Sequence, residues 1–415
     1  MRLTLEDCLQ LASERHAKLE AKGYAIEGAQ WKLEEAQARF WPLIDYKYRM
    51  APVPQDASSA AESFFGGDIT LFNGVRVGLG LPVYGFGQLT IAQKLAKQGV
   101  KASETEKDKD ETQIHFEVKQ LYFGILLARE LKFVAGDAIS KINGKLNDEI
   151  FTQKHSPYEI AKLKVFKLDL QKRFAEAAEK EILAKEGLAI QLGLDGGASF
   201  ELARTYLGIY AHTLRPLEYY LSVARAERPD AQLVAIGVEA KRLEMVLEKK
   251  KQLPRLGLGA FVDFGRTTGI VRNLGGTDDF TNPFNFSRAG VGLELEGRFD
   301  LHGSHSRIQR LNSEYRKASV EGDLAVKGIG LEVEEAWLDA KRMRDNLSWA
   351  EEKKKLAHQM LFLSKSNLDV GVGEDQEYTD ALQLVLLANG EYYKALFDYN
   401  VALAKLDLKI GRKGI

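Results

Sequence analysis

Hydrophobic positions along the chain follow two periods, and the switch between them occurs twice. Residues 5 to about 40 place apolar side chains at helical spacing, with a weak point near Ala17. From 43 the period drops to two. Ile44, Tyr46, Tyr48 and Met50 alternate with Asp45, Lys47 and Arg49, and Val75, Val77, Leu79, Leu81 and Val83 alternate with Arg76, Gly78, Gly80 and Pro82. Helical spacing returns over about 86–153 and 158–192. After an irregular bridge from Gly193 to Leu214, opened by Asp195-Gly196-Gly197, the order recurs: helix (215–252), strands (255–297), helices (about 304–370 and 375–410). In the second pair of strands, Leu256, Leu258, Ala260, Val262 and Phe264 alternate with Arg255, Gly257, Gly259, Phe261 and Asp263. Ala289, Val291, Leu293 and Leu295 alternate with Arg288, Gly290, Gly292, Glu294 and Glu296.

The recurrence is a duplication, with residues 1–205 as one repeat and 206–415 as the other. Trp41-Pro42 and Leu253-Pro254 each end a helical pattern and open a strand, at an offset of 212 residues; Leu5, Leu9, Ala12 and Glu27 match Leu217, Leu221, Ala224 and Glu239 at the same offset. Val77-Gly78-Leu79 matches Val291-Gly292-Leu293 at 214, and Gln191-Leu192-Gly193 matches Lys409-Ile410-Gly411 at 218. A period this long marks a duplicated unit rather than a solenoid module of about 20–50 residues.

Helices of roughly 65 residues are about 100 Å long, so they need partners along their length. Tyr392, Leu396, Tyr399, Leu403, Leu406 and Ile410 form one heptad seam, and Ile114, Val118, Leu121, Ile125 and Ala128 another. Seams alone fit a coiled-coil scaffold or a periplasmic adaptor without a pore. The strands argue for more. All four carry one apolar face and one of charges and glycines. Four strands cannot close on themselves, and open edges are costly in lipid. Three chains supplying four each would close a twelve-strand barrel with a polar bore, and strands of about 9–11 residues suit an outer-membrane span. The connections at about 52–73 and 265–287, rich in Gly, Ser, Asn and Asp, fit its external loops.

Composition narrows the classes. A net charge of −1 over 415 residues provides no broad basic face for nucleic acid, and nine prolines suit long helices. Cys8 is the only cysteine, so no internal disulfide forms. The longest apolar runs, Leu121–Ala128 and Leu384–Ala388, fall far short of the roughly 20 residues of a membrane helix. The start, Met1-Arg2-Leu3-Thr4-Leu5-Glu6-Asp7, reads as an amphipathic helix rather than a leader, which leaves an intracellular protein or a mature, leader-cleaved form. No acid, base, nucleophile and metal set converges, so no enzyme is expected. His302-Gly303-Ser304-His305 lacks a third ligand and reads as a surface turn; the Gly78-x-Gly80 and Gly257-x-Gly259 pairs lack the rest of a nucleotide loop and read as bore-facing strand positions. Tyr46, Tyr48, Tyr84, Phe261, Phe264 and Phe299 fit either interfacial aromatic girdles or an ordinary core.

The whole layout resembles the TolC-like family of outer-membrane efflux and secretion channels. The carriers are the duplicated helix–hairpin–helix plan, the opening Leu3-Thr4-Leu5-Glu6-Asp7-Cys8-Leu9, Pro42 and Pro254 at the helix–strand junctions, and the stretches Tyr378-Thr379-Asp380-Ala381-Leu382 and Tyr399-Asn400-Val401-Ala402-Leu403-Ala404. The resemblance implies a mainly α fold with a β-barrel part: a homotrimer in the outer membrane of a Gram-negative bacterium, with strands at 43–83 and 255–297. A helical tunnel, at about 86–192 and 304–411, projects into the periplasm. It implies an exported protein without cofactor or metal, working with a periplasmic adaptor and an inner-membrane transporter. It places a gate at the periplasmic tip, where Glu377 and Asp380 share a helical face. Glu159 and Lys162 stand at the matching first-half positions, with Lys162 able to pair with a carboxylate. The tip turns fall at Gly371 and Gly373 and at Lys154-His155-Ser156-Pro157, and are the expected docking points for the adaptor.

Overall fold

The computed structural model describes residues 2–56, 58–148, 156–194, 200–209, 214–269, 271, 282–297, 300–370, 372–373 and 375–412. Its elements are β1 (Arg2–Leu3), α1 (Leu5–Arg15), α2 (Ala17–Ala38), β2 (Leu43–Pro54), α3 (Ala60–Gly66), β3 (Ile69–Tyr84), α4 (Gln88–Asn147) and α5 (Pro157–Gln191). The second repeat holds β4 (Glu201–Leu202), α6 (Leu217–Glu227), α7 (Pro229–Lys250), β5 (Arg255–Thr267), β6 (Phe286–Glu296), α8 (Leu301–Asp369) and α9 (Asp375–Ile410). The chain divides into two compact units, and each repeat contributes to both: Met1–Ile26, Ala102–Ala235 and Glu321–Ile415 form a helical unit, and Glu27–Lys101 and Ile236–Val320 form the unit that holds the four-stranded sheet.

The core of the helical unit is built from the heptad seams. Ile114, Val118, Ile125 and Ala128 of α4 and Leu396, Tyr399, Leu403, Leu406 and Ile410 of α9 are buried, with Leu5, Cys8, Leu9 and Ala12 of α1 packed among them. Thr4 starts α1 with a reciprocal capping box: its hydroxyl accepts from the Asp7 N–H at 3.1 Å, and the Asp7 carboxylate accepts from the Thr4 N–H at 2.9 Å. Cys8 is fully buried, and burial pushes its thiol up to about 12, which makes it a packing residue rather than a nucleophile. Lys119, also buried, donates to Asp407 at 2.9 Å. The segment between the repeats is pinned to this core. Leu207 N–H donates to Glu130 at 3.0 Å, Asn400 donates to the Gly208 carbonyl at 2.9 Å, and β1 pairs in parallel with β4.

Two expectations change. The helix predicted over 215–252 is broken at Arg228, whose extended backbone (φ −67°, ψ 123°) is what a residue before proline prefers. His16 breaks the first repeat in the same way (φ −67°, ψ 121°), and the two breaks are 212 residues apart. Each break is clamped by a glycine in the left-handed region. A Cβ on Gly193 (φ +62°) would lie 2.5 Å from the Arg15 carbonyl, and one on Gly411 (φ +80°) would lie 2.6 Å from Arg228 Cα. Second, the first strand connection is shorter than the predicted 52–73. The strands run on to Pro54 and start again at Ile69, with α3 between them. Pro52 and Pro54 are tolerated because β2 is an edge strand.

Candidate functional site

The sheet has the order β2-β3-β5-β6, antiparallel throughout, so the two repeat hairpins lie side by side. Its register lines apolar residues up across all four strands. Ile44, Leu79, Ala260 and Val291 form one row, and Tyr46, Val77, Val262 and Ala289 another. This face is bare: Tyr46 is 82 % exposed and Val291 76 %, with Ile44, Tyr48, Val77, Phe264, Leu293 and Leu295 also exposed. A contiguous apolar surface of this kind marks contact with lipid or with another chain. The outer edges of β2 and β6 have no strand partner among the described residues.

The opposite face carries the charges and explains the glycines. A Cβ on Gly78 would lie 2.5 Å from the Asp45 carboxylate, and one on Gly290 would lie 2.8 Å from the Phe261 ring. Gly265 similarly leaves room for the rings of Phe72 and Phe286. The glycines are gaps into which neighbouring strands lay their side chains. Phe261 therefore does not join Tyr46, Tyr48 and Phe264 on the bare apolar face. It lies on the charged face, with the Arg76 guanidinium 5.0 Å from its ring centre. Phe299 lies outside the described residues.

Pro42 stands between α2 and β2, and Pro254 directly before β5. At the second junction the buried Gln88 side chain donates to the carbonyls of Lys250 (3.0 Å) and Leu253 (2.9 Å), which ties the end of α7 to the start of α4. Phe86, just before α4, is held at φ +49° with its ring edge-on to Tyr84. His302, Gly303, Ser304 and His305 form the first turn of α8, not a surface turn. Asp300 caps that turn by accepting from the Gly303 N–H at 2.9 Å. Among the described residues no cluster of His, Cys, Asp and Glu is placed to hold a metal.

At the other end of the long helices, α9 starts against α4 and α5. Lys145 lies 3.9 Å from the Tyr378 ring centre, and Lys162 lies 3.5 Å from the Asp380 carboxylate, which also accepts from Gln376. Lys162 thus sets a positive charge beside one of the two carboxylates expected at the gate, while Glu377 is exposed. Glu159 closes the capping box of α5: Ser156 N–H donates to it at 2.8 Å, and Ser156 Oγ accepts from its own N–H at 3.3 Å. Ser156 and Pro157 are the N-cap and first residue of that helix. The end of α8 folds back on itself, with Val372 and Gly373 both donating to the Asn367 carbonyl at 3.0 Å. Gly373 is required there because a Cβ would meet Asn367 and Leu368 at 2.9 Å. Gly371, Lys154, His155 and Asp195-Gly196-Gly197 lie outside the described residues.

Residues 220–412 match the family model described as outer membrane efflux protein. The second half of the chain is an outer membrane efflux protein domain. No curated protein matches the sequence. The fold is similar over nearly the whole length to solved outer-membrane channels. Against the open state of the Neisseria gonorrhoeae MtrE outer membrane channel, the TM-score is 0.81 at 16 % identity, covering 99 % of this chain and 89 % of that one. Against CusC it is 0.80 at 13 %, covering 98 % and 92 %; against the Campylobacter jejuni CmeC outer membrane channel it is 0.76 at 17 %, covering 98 % and 85 %. The mainly helical architecture with a small sheet part is that of the TolC-like outer-membrane channels, which are conduits rather than enzymes.

The periodic pattern does not single out the residues that meet at the two helix breaks. In the first repeat His16 Nε2 lies 2.9 Å from Gln191 Oε1, and Gln191 donates to Glu117 at 2.9 Å. In the second, Arg228 and Lys409 both donate to Glu332, at 2.7 and 2.9 Å, and Arg228 also donates to Asp230 at 3.0 Å. The one sequence signal was the repeat offset itself, which pairs Gln191 with Lys409 and, read onward, His16 with Arg228.

Proposed function

We propose that this chain is the outer-membrane exit channel of a tripartite efflux or type I secretion system. The observation that carries the reading is the four-stranded sheet, with an exposed apolar face, a charged opposite face and two unpaired edges. A sheet of that kind is stable in a bilayer only when its edges are paired and its apolar side meets lipid. Three copies joined β6 to β2 satisfy both needs, with the charged face lining the bore. The exposed apolar residues of the long helices, among them Trp349, Phe362 and Leu338, are then covered by neighbouring copies. The channel is passive: an inner-membrane transporter supplies the energy, and a periplasmic adaptor docks at the tip turns around Gly371, Gly373, Ser156 and Pro157. The absence of any helix apolar enough to cross a membrane fits this reading, because a barrel would do the crossing.

The gate lies at the start of α9, where Glu377 and Asp380 face a constriction and opening untwists the tip helices. Focused carboxylates in a narrow bore select cations and hold multivalent ones. Lys162 offsets part of the Asp380 charge, and Glu159 is engaged as a helix cap, so Glu377 carries most of the effect. Single-channel recording of the purified protein in a planar bilayer tests this. Small cation-selective steps, blocked by a trivalent cation from the tip side and released in Glu377→Ala/Asp380→Ala, are expected. Conductance whose block survives that double change overturns the gate, and a folded, detergent-independent protein without conductance overturns the channel.

A further inference from the structure

One row of the sheet breaks the usual rule for cross-strand charges. Lys47, Arg76, Asp263 and Arg288 lie directly opposite one another across the four strands, on the charged face. Lys47 and Arg76 are thus like charges in register, an arrangement that destabilises a sheet. The next row toward the loops adds Arg49, and the next toward the helices adds Asp45. The band therefore holds four cations against two carboxylates. Lys47, Arg49 and Arg76 form no ion pair among the described residues and stand exposed.

The two guanidinium groups are positioned without being neutralised. Arg76 lies 5.0 Å from the Phe261 ring centre and Arg288 lies 4.1 Å from that of Phe286, while Arg288 also donates to the Asn282 carbonyl at 2.8 Å. Aromatic faces hold guanidinium planes while leaving their edges free to donate. Gly78 and Gly290 make the space: the first takes the Asp45 carboxylate, and the second takes the ring on which Arg76 rests. Local packing is thus spent on keeping like charges together, which is the signature of a functional site rather than a stability device.

We propose that Lys47, Arg76 and Arg288, with Arg49, form an anion-binding band for multivalent oxyanions on the charged face of the sheet. The proposal rests on the channel reading, in which this face lines the bore and three copies repeat the band around it. Arginine edges match phosphate and carboxylate oxygens bidentately, and a ring of cations in a bore lined by low-dielectric walls concentrates anions. The solutes favoured are those carrying several phosphates or carboxylates.

The test uses the full-length protein in planar bilayers, with inorganic tripolyphosphate added to each chamber in turn. A Glu377→Gln/Asp380→Asn background removes the tip carboxylates from the measurement. Voltage-dependent block from one side is expected in this background. The concentration giving half block should rise at least tenfold in Arg76→Gln/Arg288→Gln and change less than threefold in Arg76→Lys/Arg288→Lys. In a potassium chloride gradient the reversal potential should shift toward cation selectivity in the glutamine variant only. Conductance with no tripolyphosphate block, or block equal in all variants, overturns the band while leaving the channel standing. No conductance from the unmodified protein overturns the channel reading, and this proposal with it. Should Arg76→Gln/Arg288→Gln not insert, Lys47→Gln/Arg49→Gln makes the same comparison.

Discussion

The helix breaks of the two repeats share one backbone and differ in chemistry. At His16 and Arg228 the dihedrals agree to within a few degrees, and Gly193 and Gly411 press left-handed turns against them. Around the first break the partners are an imidazole, an amide and a carboxylate; around the second, two cations converge on Glu332 beside Asp230. Duplication thus retained the steric device, which any copy of the fold needs, and let the polar contacts diverge. Backbone geometry at such a point is all or nothing, whereas a hydrogen-bonded triad has several chemical solutions.

Replacing the central glutamate in each repeat breaks the comparison most sharply. Glu332→Ala leaves Lys409 without its partner and Arg228, only 8 % exposed along its side chain, with Asp230 alone. It should cost about 3 kcal/mol, the low end for stranding a buried charge. Denaturant unfolding of the detergent-solubilised protein reads this loss. Gly193→Ala and Gly411→Ala should each cost at least about 1–2 kcal/mol for the left-handed backbone, with the clash in addition. They should lose similar amounts, because the device is common to both repeats. Glu117→Ala, which removes one hydrogen bond to a neutral amide, should cost only about 1 kcal/mol. Equal losses for the two glutamates would dissolve the distinction between the nodes.

A pH titration sharpens the same contrast. Hydrogen bonds from Lys409 and then Arg228 hold the Glu332 carboxyl below its ordinary 4.5. A depressed carboxylate contributes stability that is present above its unfolded value and lost as pH falls through the folded one. Stability should therefore decline below about pH 4.5, and Glu332→Gln should flatten that part of the curve; thermal unfolding at stepwise lower pH measures it.

Much of the fold was legible because periodicity records burial. The seams at Ile114–Ala128 and Tyr392–Ile410 form the helical core, and the alternation in all four strands marks the two faces. Pro42 and Pro254 marked the junctions because proline cannot continue a helix interior. The break at Arg228 was hidden because its flanking residues keep helical spacing and proline also suits a helix start. The β1–β4 pairing was invisible because two residues carry no period. Gln88 and the polar nodes escaped notice for another reason: their partners are distant in sequence, and amides and carboxylates on a helix read as solvent-facing. At the tip, the sequence named Glu377 and Asp380 as neighbours but not how closely Lys162 approaches Asp380.

The central claim is that the open edges of the sheet close between copies, and disulfide cross-linking reads it directly. In a Cys8→Ala background, single cysteines on the β2 edge (Tyr46 or Tyr48) combined with cysteines on the β6 edge (Ala289, Val291 or Leu293) should oxidise between chains in outer membranes. At least one combination should give a ladder that ends at three chains. A set that yields no inter-chain product, or a ladder that continues past three, contradicts the closed trimeric barrel.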